Sequence, residues 1–294
     1  MQYWTLIGSL WGLYAILAIS LNLVVGEMGL LSLCHAAFWG IGAYSFGLLI
    51  VKASFSPLIA ALLSGVIAAM AAMVTGLPLY RLRGDFFALA TFGFALVVYG
   101  LSLNWVGLTG GAFGLVVPIS EQVSWLRENP SGTLLFPIWM IVLVLAITAF
   151  LWRRSPLGRV VNAIREDEEL AMSLGKPVRT HRLITFTLSG TIAGFAGVIY
   201  ILLFGVVDPT GFDFMESVML VAMVVVGGSG STAGSIAGAG LVVLLPELLR
   251  FCGIGGQEAG NIRQVIFGLV LFLMLLYRPK GLLGRLKIGL ERRA

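Results

Sequence analysis

Charged residues are scarce in this chain. Asp, Glu, Lys and Arg make up 11% of its 294 residues, whereas soluble domains carry about 25%. Hydrophobic residues make up 59% of the chain, and the mean hydropathy is +0.99. This composition excludes a water-soluble globular domain and predicts an integral membrane protein. The net charge of +5 is typical of basic cytoplasmic loops, so we predict no nucleic-acid partner.

Long apolar runs recur along the whole sequence. Because an α-helix rises about 1.5 Å per residue, about 20 apolar residues are needed to cross a bilayer core of about 30 Å. We predict an all-α, polytopic membrane helix bundle that forms a single domain over residues 1–294. Nine spans are predicted, at residues 3–25, 34–51, 57–77, 86–106, 134–152, 183–205, 217–228, 232–247 and 263–277. The seventh and eighth are short and rich in Gly and Ser, so a broken helix or a re-entrant pair is an alternative, with eight to ten spans in all.

The cations cluster in three segments, which are Arg81 with Arg83, residues 153–182, and the tail at 278–294. Since cytoplasmic loops are enriched in Lys and Arg, all three segments are predicted to be cytoplasmic. Even numbers of predicted spans separate them, which returns the chain to the same side each time. The prediction is therefore N-out and C-in, with the loop at residues 107–133 outside. The start has no basic n-region, so we expect the first span to be retained rather than cleaved.

Residues that carry chemistry are also few. The interiors of the predicted spans contain no Asp, Glu, Lys or Arg, which argues against an ion-coupled secondary carrier because such carriers need ionisable groups at membrane depth. Two His and two Cys at distant positions predict no haem or metal site and no disulfide. H-E-x-x-H, G-x-S-x-G and P-loop motifs are all missing, so we predict no catalysis, and ATP would have to bind another subunit. A membrane enzyme could use only the acidic group of Asp208, Asp213 and Glu216, which has no base beside it.

Residues 153–182, which we call the island, carry the densest charge. Its seven cations and four acids would cost about 30 kcal/mol in the bilayer, so the island must face water. Ser155-Pro156 predicts a helix start and Gly175-Pro177 a stop, which gives a helix at about 156–174. Its apolar face would carry Val160, Ile164, Ala171 and Leu174. Either this face docks into a groove on a soluble motor, or the island is a solvated connection between spans.

Polar and small residues at particular spacings suggest two further roles. Candidates for the translocation pathway are His35, Asn22 and Asn104, although each could instead hydrogen-bond a neighbouring helix. Glycines at four-residue spacing are candidates for close helix packing, and they are Gly190, Gly194, Gly230, Gly234 and Gly238. These glycines could serve packing within the chain or a subunit interface, and we favour packing within the chain.

Several motifs together resemble a known family. The island contains RSPLGR from Arg154 and AIREDE from Ala163, and the motifs elsewhere are LSLCHAAFWGIGAY from Leu31, LRGDFFALATFGFA from Leu82, LTGGAFGL from Leu108, VVVGGSGSTAG from Val224 and RPKGLLG from Arg278. The chain resembles the LivM-type permeases of branched-chain amino acid ABC importers. Two positions depart from that family's usual pattern: Cys34 stands where Gly is usual, and Leu96 stands where an acid is common.

The resemblance implies a subunit that imports leucine, isoleucine or valine across a bacterial or archaeal cytoplasmic membrane. It also implies a heterodimer with a LivH-type permease, two cytoplasmic ATPases that bind ATP and Mg, and an extracytoplasmic binding protein. This chain would then bind no cofactor itself. The resemblance assigns ATPase coupling to Arg165, Glu166, Asp167, Glu168, Ala171 and Gly175. A permease of the same family for urea or short amides is the alternative function, and which charges contact the ATPase stays open.

Overall fold

The apolar runs form helices whose ends coincide with Pro, Gly and capping residues. The computed structural model describes residues 2–82, 84–118, 130–251, 268 and 282–283, with the backbone alone at 248–251. Three of the helices begin with proline, at Pro57, Pro130 and Pro156, where the missing N–H costs nothing. The helices are α1 Gln2–Asn22, α2 His35–Val51, α3 Pro57–Leu79, α4 Asp85–Asn104, α5 Val106–Thr109, α6 Pro130–Arg154, α7 Pro156–Glu166, α8 Glu168–Ser173, α9 Val178–Phe204, α10 Phe214–Gly227 and α11 Thr232–Phe251.

The predicted all-α membrane bundle is confirmed. Within the described ranges, five helices are long and apolar enough to cross a membrane: Gln2–Met28, Pro57–Leu79, Asp85–Asn104, Pro130–Arg154 and Val178–Phe204. Shorter apolar helices cover His35–Val51, Phe214–Gly227 and Thr232–Glu247. The first eight predicted spans each overlap one of these helices. The ninth, at 263–277, and the tail at 278–294 lie outside the described residues, except for 268, 282 and 283.

The helix α1 lies at the centre of the bundle and contacts α6, α9, α10 and α11. Of its most apolar stretch 78% is buried inside the protein, compared with 22% for α6. Because a bilayer is as apolar as the side chains of α6, the exposed face of α6 is stable only against lipid or another membrane protein.

Glycines bring α9 against α2 and α3 at very short range. A Cβ on Gly190 would overlap the methyl group of Ala72 on α3, and a Cβ on Gly194 would overlap that of Ala68. A Cβ on Gly42 of α2 would in turn overlap the backbone of Gly194. These contacts bring the backbone of α9 against the backbone of α2 and against the alanine methyl groups of α3, and close approach of this kind lets membrane helices associate without a hydrophobic driving force.

The described parts of the cation-rich segments lie at the same end of the bundle, which we call the basic end. The Arg179 guanidinium stacks 3.9 Å from the ring centroid of Tyr80, and Arg81 follows Tyr80 at the end of α3. The backbone N–H groups of Leu282 and Leu283 donate to the carbonyls of Val226 and Gly227 at the end of α10. The start of the tail, the island and the end of α3 are thus neighbours.

The opposite end is closed by short connections. Lys52 Nζ donates to the Gly107 carbonyl at 2.6 Å, which ties the end of α2 to the segment after α4. That segment continues into strand β1, Leu115–Val116, which pairs antiparallel with strand β2, Val206–Val207, after α9. The loop predicted at 107–133 therefore starts at this end, and its residues 119–129 lie outside the described part of the chain.

Non-helical backbone occurs inside the bundle and is satisfied by side chains. Residues 29–34 connect α1 to α2, and there the Leu33 N–H donates to Thr91 Oγ1 at 3.1 Å. The Ala36 N–H at the start of α2 donates to Ser217 Oγ at 3.2 Å. Because a buried unpaired amide is costly, these hydroxyl groups allow the chain to leave the helical conformation between α1 and α2.

Candidate functional site

The island forms two helices rather than the single helix predicted at 156–174. Asp167 has extended dihedrals, φ −150° and ψ 103°, and its carboxylate accepts from the Leu170 N–H at 2.9 Å, so it caps α8. Ser155 caps α7 as predicted, because its hydroxyl accepts from the Gly158 N–H at 3.1 Å. The physical reason for the break is that Asp competes for backbone N–H groups and favours the cap over the helix interior.

The break turns the predicted apolar face inwards. Ile164, Ala171 and Val178 are buried in one small cluster, and Val160 packs against it. This cluster joins α7, α8 and the start of α9. Of the four residues predicted to form the docking face, only Leu174 is exposed, at 69%.

A different apolar surface faces outwards. Leu170 is 57% exposed and Met172 is 45% exposed, and both lie within one turn of Leu174. We call these three residues the α8 patch. Glu166 and Gly175, two of the predicted coupling residues, are exposed beside it. An exposed apolar group on a charged, water-facing segment is the kind of surface that another protein covers.

An ion pair fixes α8 to α9. The guanidinium of Arg182 donates from Nη2 to Glu168 Oε2 at 2.8 Å and from Nη1 to Glu168 Oε1 at 3.1 Å. Arg182 is 8% exposed. The two-point geometry sets the orientation of α8 as well as its position. Glu168, predicted to contact an ATPase, is therefore bound within the chain.

Arg165 also points into the protein. Its Nη1 donates to the carbonyl of Gly26, and its side-chain stem lies against Gly29. Burial lowers the pKa of the Arg165 guanidinium, while the carboxylates of Glu27 and Glu166 oppose that change. Arginine stays protonated in proteins, so this is a buried cation on a carbonyl of the first span.

Next to Arg165 lies a buried acid, Glu27, which the sequence analysis missed. The α1 helix continues as a π-helix over Leu23–Met28, and Glu27 within it is 2% exposed. Arg153, in the last turn of α6, donates from Nε to Glu27 Oε1 and forms an ion pair with it. The predicted span ends at residue 25 and so leaves Glu27 outside it. The available signal was that Glu27 is the first charged residue of the chain, after 26 uncharged ones.

Asn22 lies one turn before Glu27 and joins α1 to the turn between α10 and α11. Its side-chain oxygen accepts from the Gly230 N–H at 2.8 Å. A Cβ on Gly26 would overlap this same pair, so only glycine fits there. Gly230 has φ +77° and stands in the turn before α11. It was predicted to share a packing face with Gly234 and Gly238, and that part of the prediction is wrong because the helix begins after it.

The remaining two glycines of that series lie between α10 and α11. A Cβ on Gly234 would overlap the carbonyl of Gly227, and a Cβ on Gly238 would overlap that of Met223. The hairpin of α10 and α11 is therefore another place of direct backbone contact.

His35 is fully buried at the start of α2. Its Nε2 lies 2.8 Å from Ser189 Oγ, whose hydroxyl donates to the carbonyl of Ser20 on α1. Since the Ser189 proton is used on that carbonyl, His35 donates through Nε2 and accepts through Nδ1, which is 3.4 Å from Ser32 Oγ. His35 thus links α2 to α9, and Ser189 continues the link to α1.

Asn104 lies far from these residues. It ends α4 at the opposite end of the bundle, is exposed, and donates to the Gly100 carbonyl of its own helix at 2.8 Å. His35 reaches α1 at Ser20 through Ser189, and Asn22 lies two residues further along α1, whereas Asn104 lies at the opposite end of the bundle. The three residues predicted as one pathway therefore do not form one site.

The acidic group on the other side of the bundle is used in local structure. Asp208 accepts from the Thr210 N–H at 2.9 Å, and Asp213 caps α10 through the Glu216 N–H at 2.9 Å. The Glu216 carboxylate accepts from Tyr14 Oη at 3.4 Å. Among the residues that the structure covers, no three His, Cys, Asp or Glu side chains are placed to hold a metal ion.

The sequence is similar to known transport proteins over almost its whole length. A family described as branched-chain amino acid transport system / permease component matches residues 6–275. The chain is 35% identical to the high-affinity branched-chain amino acid transport system permease protein LivM of Escherichia coli K12, over 94% of this chain and 69% of that protein. It is 28% identical to the corresponding LivH protein of Salmonella typhimurium, over 92% of this chain and 91% of that protein. No solved structure matches the chain significantly.

Proposed function

Because the chain belongs to the family of branched-chain amino acid transport system permease components, we propose that it is a membrane-spanning subunit of an ABC importer for leucine, isoleucine and valine. The observation that carries this proposal is the match over residues 6–275. The LivM protein of Escherichia coli K12, which is 35% identical, is named as a permease protein of a high-affinity branched-chain amino acid transport system. A permease for urea or short amides is the alternative that a substrate test must separate.

The orientation proposed is N-out and C-in. The end of α3, the island and the start of the tail lie together at the basic end. Since Lys and Arg are enriched in cytoplasmic loops, this shared location supports a cytoplasmic basic end. The multi-pass chain would lie in the cytoplasmic membrane of a bacterium or archaeon.

The partners proposed are a LivH-type permease, two ATPases that bind ATP and Mg, and an extracytoplasmic binding protein. This chain would contribute no ATP site of its own. The similarity to both LivM and LivH relatives supports a heterodimer of two homologous permeases.

The contact with the ATPase is proposed to be the α8 patch, together with the exposed Glu166 and Gly175. Leu170, Met172 and Leu174 are exposed on a segment that faces water, and exposed apolar groups of this kind mark sites of protein interaction. The ion pair of Arg182 with Glu168 holds the patch rigidly on α9, as force transmission requires. Asp167, Arg165 and Ala171 would shape the island from within.

Substitution of the patch tests this proposal. In the assembled importer, Leu170→Asp and Leu174→Asp should each reduce co-purification of the ATPases and leucine uptake about tenfold, because a charge would enter an apolar contact. Leu157→Asp is the matched control, since Leu157 is exposed on α7 outside the patch. Normal co-purification and uptake in both patch variants would exclude this docking site.

A competition experiment separates the two substrate classes. Leucine uptake by the assembled importer should be inhibited by excess valine and not by urea.

A further inference from the structure

We propose that Glu27, Arg153 and Arg165 form a relay that transmits movement of the island to the first span. Together with Gly26 and Gly29 we call them the Glu27 junction. This inference rests on the proposed function, because it assumes that an ATPase moves the island. The three charged residues would be positioning residues for ATP-driven transport, and their role would be distinct from that of the α8 patch.

Two arginines on either side of the helix break at Ser155 reach consecutive residues of α1. Arg165 on α7 donates to the Gly26 carbonyl, and Arg153 at the end of α6 pairs with Glu27. Gly29 allows the first contact, because a Cβ there would come within 2.8 Å of Arg165 Cγ. The island is therefore connected to the end of α1 by two charge-assisted contacts, although the two segments are far apart in sequence.

The burial of Glu27 makes its ion pair with Arg153 hard to break. Glu27 is 2% exposed and Arg153 is 21% exposed. A carboxylate in so dry a place is costly unless its partner stays with it, so α6 and the end of α1 must move together. Buried ion pairs add little stability compared with apolar residues of similar size, and a role in transmission accounts for keeping charges at this position.

The segment that receives the contacts is unusual in shape. Leu23–Met28 is π-helical. Such turns are rare in proteins, and those that occur often lie at functional sites. The segment ends at Gly29, which has φ +71°. A change in the position of Arg165 or Arg153 would thus act on a part of α1 that can change its winding without breaking a regular α-helix.

The contacts continue beyond α1. Gly26, whose carbonyl holds Arg165, packs against the hydrogen bond between Asn22 and Gly230. Gly230 lies in the turn between α10 and α11, and the carbonyls of Gly227 and Val226 before it accept from Leu283 and Leu282. An unbroken series of contacts therefore runs from the island through the Glu27 junction to the α10–α11 turn.

The experiment uses the complete importer in proteoliposomes with the variants Glu27→Gln and Arg153→Gln. The relay predicts that both variants bind the ATPases and hydrolyse ATP, while leucine transported per ATP hydrolysed falls about tenfold, within the usual range of coupling between sites. Arg153→Lys should recover much of the loss because it restores the cation. Arg154→Gln is the matched control, since the neighbouring Arg154 is exposed and stacks on Phe150 of its own helix.

The double variant Glu27→Gln/Arg153→Gln covers the case in which a single substitution prevents folding. It removes both charges, so neither is left buried alone. An assembled double variant with low transport per ATP supports the relay. Wild-type transport per ATP in an assembled single or double variant overturns it, and so does failure of every variant to assemble, because the junction would then be only structural. Loss of ATPase binding in the α8 patch variants tests the docking site separately, so the two proposals can fail independently.

Discussion

Arg182 holds Glu168 by two parallel hydrogen bonds, of 2.8 Å and 3.1 Å, across the turn between α8 and α9. Both side chains are largely buried. A carboxylate that was expected to meet an ATPase is thereby used to set the direction of α8. The distinction between a contact residue and a residue that orients the contact can be tested.

Glu168→Ala should destabilise the island, because Arg182 would remain buried without its carboxylate. We expect a loss of about 2 kcal/mol, as for other hydrogen bonds to charged groups. Limited proteolysis between residues 155 and 178 of the purified protein would measure it. Glu169→Ala is the control, since Glu169 is exposed on the same helix. Equal proteolysis rates for the two variants would contradict the orienting role.

Gly194→Ala should weaken the packing of α9 against α3. The added methyl group would overlap Ala68, and overpacking of this kind costs about 1–3 kcal/mol. Thermal unfolding in detergent would report the change. Gly93→Ala on α4 is the same substitution in a helix, but its Cβ would have no atom within 4 Å, so the unfolding temperature should not fall and can rise, because alanine favours the helix over glycine. A similar decrease in both variants would contradict the packing explanation.

Tyr44→Phe should stabilise the protein, because the Tyr44 hydroxyl is buried and has no hydrogen-bond partner among the described residues. Removing it should gain about 1 kcal/mol, measured as a higher unfolding temperature. Tyr14→Phe is the contrasting variant, since Tyr14 donates to Glu216 and should lose stability. If Tyr44→Phe lowers leucine uptake without raising the unfolding temperature, the Tyr44 hydroxyl forms a hydrogen bond at some stage of transport.

The orientation can be measured with single cysteines. Ala53 follows α2 at the end opposite the basic end, and Ser173 ends α8, and both are exposed. In intact cells an impermeant thiol reagent should label Ala53→Cys, whereas Ser173→Cys should react only after permeabilisation. The native Cys34 is buried and provides the background signal, and the second native cysteine, Cys252, is replaced by Ser in both variants. The reverse labelling pattern would invert the proposed topology.

The apolar runs were sufficient to predict the membrane bundle, because about 20 apolar residues between charged loops have few other stable arrangements. They did not reveal Glu27, since a hydropathy pattern ends at the first charged residue and cannot show that the helix continues buried as far as Met28. The missed partner, Arg153, lies 126 residues away in sequence. Long-range pairs of this kind depend on how helices pack.

The island illustrates the same limit at short range. Ser155 was recognised as a cap, but the second cap at Asp167 was hidden within a run of four acids. Once that residue breaks the helix, every position after it turns relative to α7. Ile164 and Ala171 then face the start of α9, and Leu170 and Met172 face solvent. A single backbone conformation thus decides which side of the island a partner can reach.

The tight contacts of Gly190 and Gly194 also have a mechanical consequence. These glycines meet the methyl groups of Ala72 and Ala68 and the backbone of Gly42, none of which has a rotamer to change, so α2, α3 and α9 form a stiff block. The α10–α11 hairpin, by contrast, is joined to α1 through side chains, by the hydrogen bond from Gly230 to Asn22 and by that from Trp11 Nε1 to the Ile236 carbonyl. Because side-chain contacts adjust more easily than backbone contacts, a change of shape should move the hairpin relative to α1 more than it distorts the block of α2, α3 and α9.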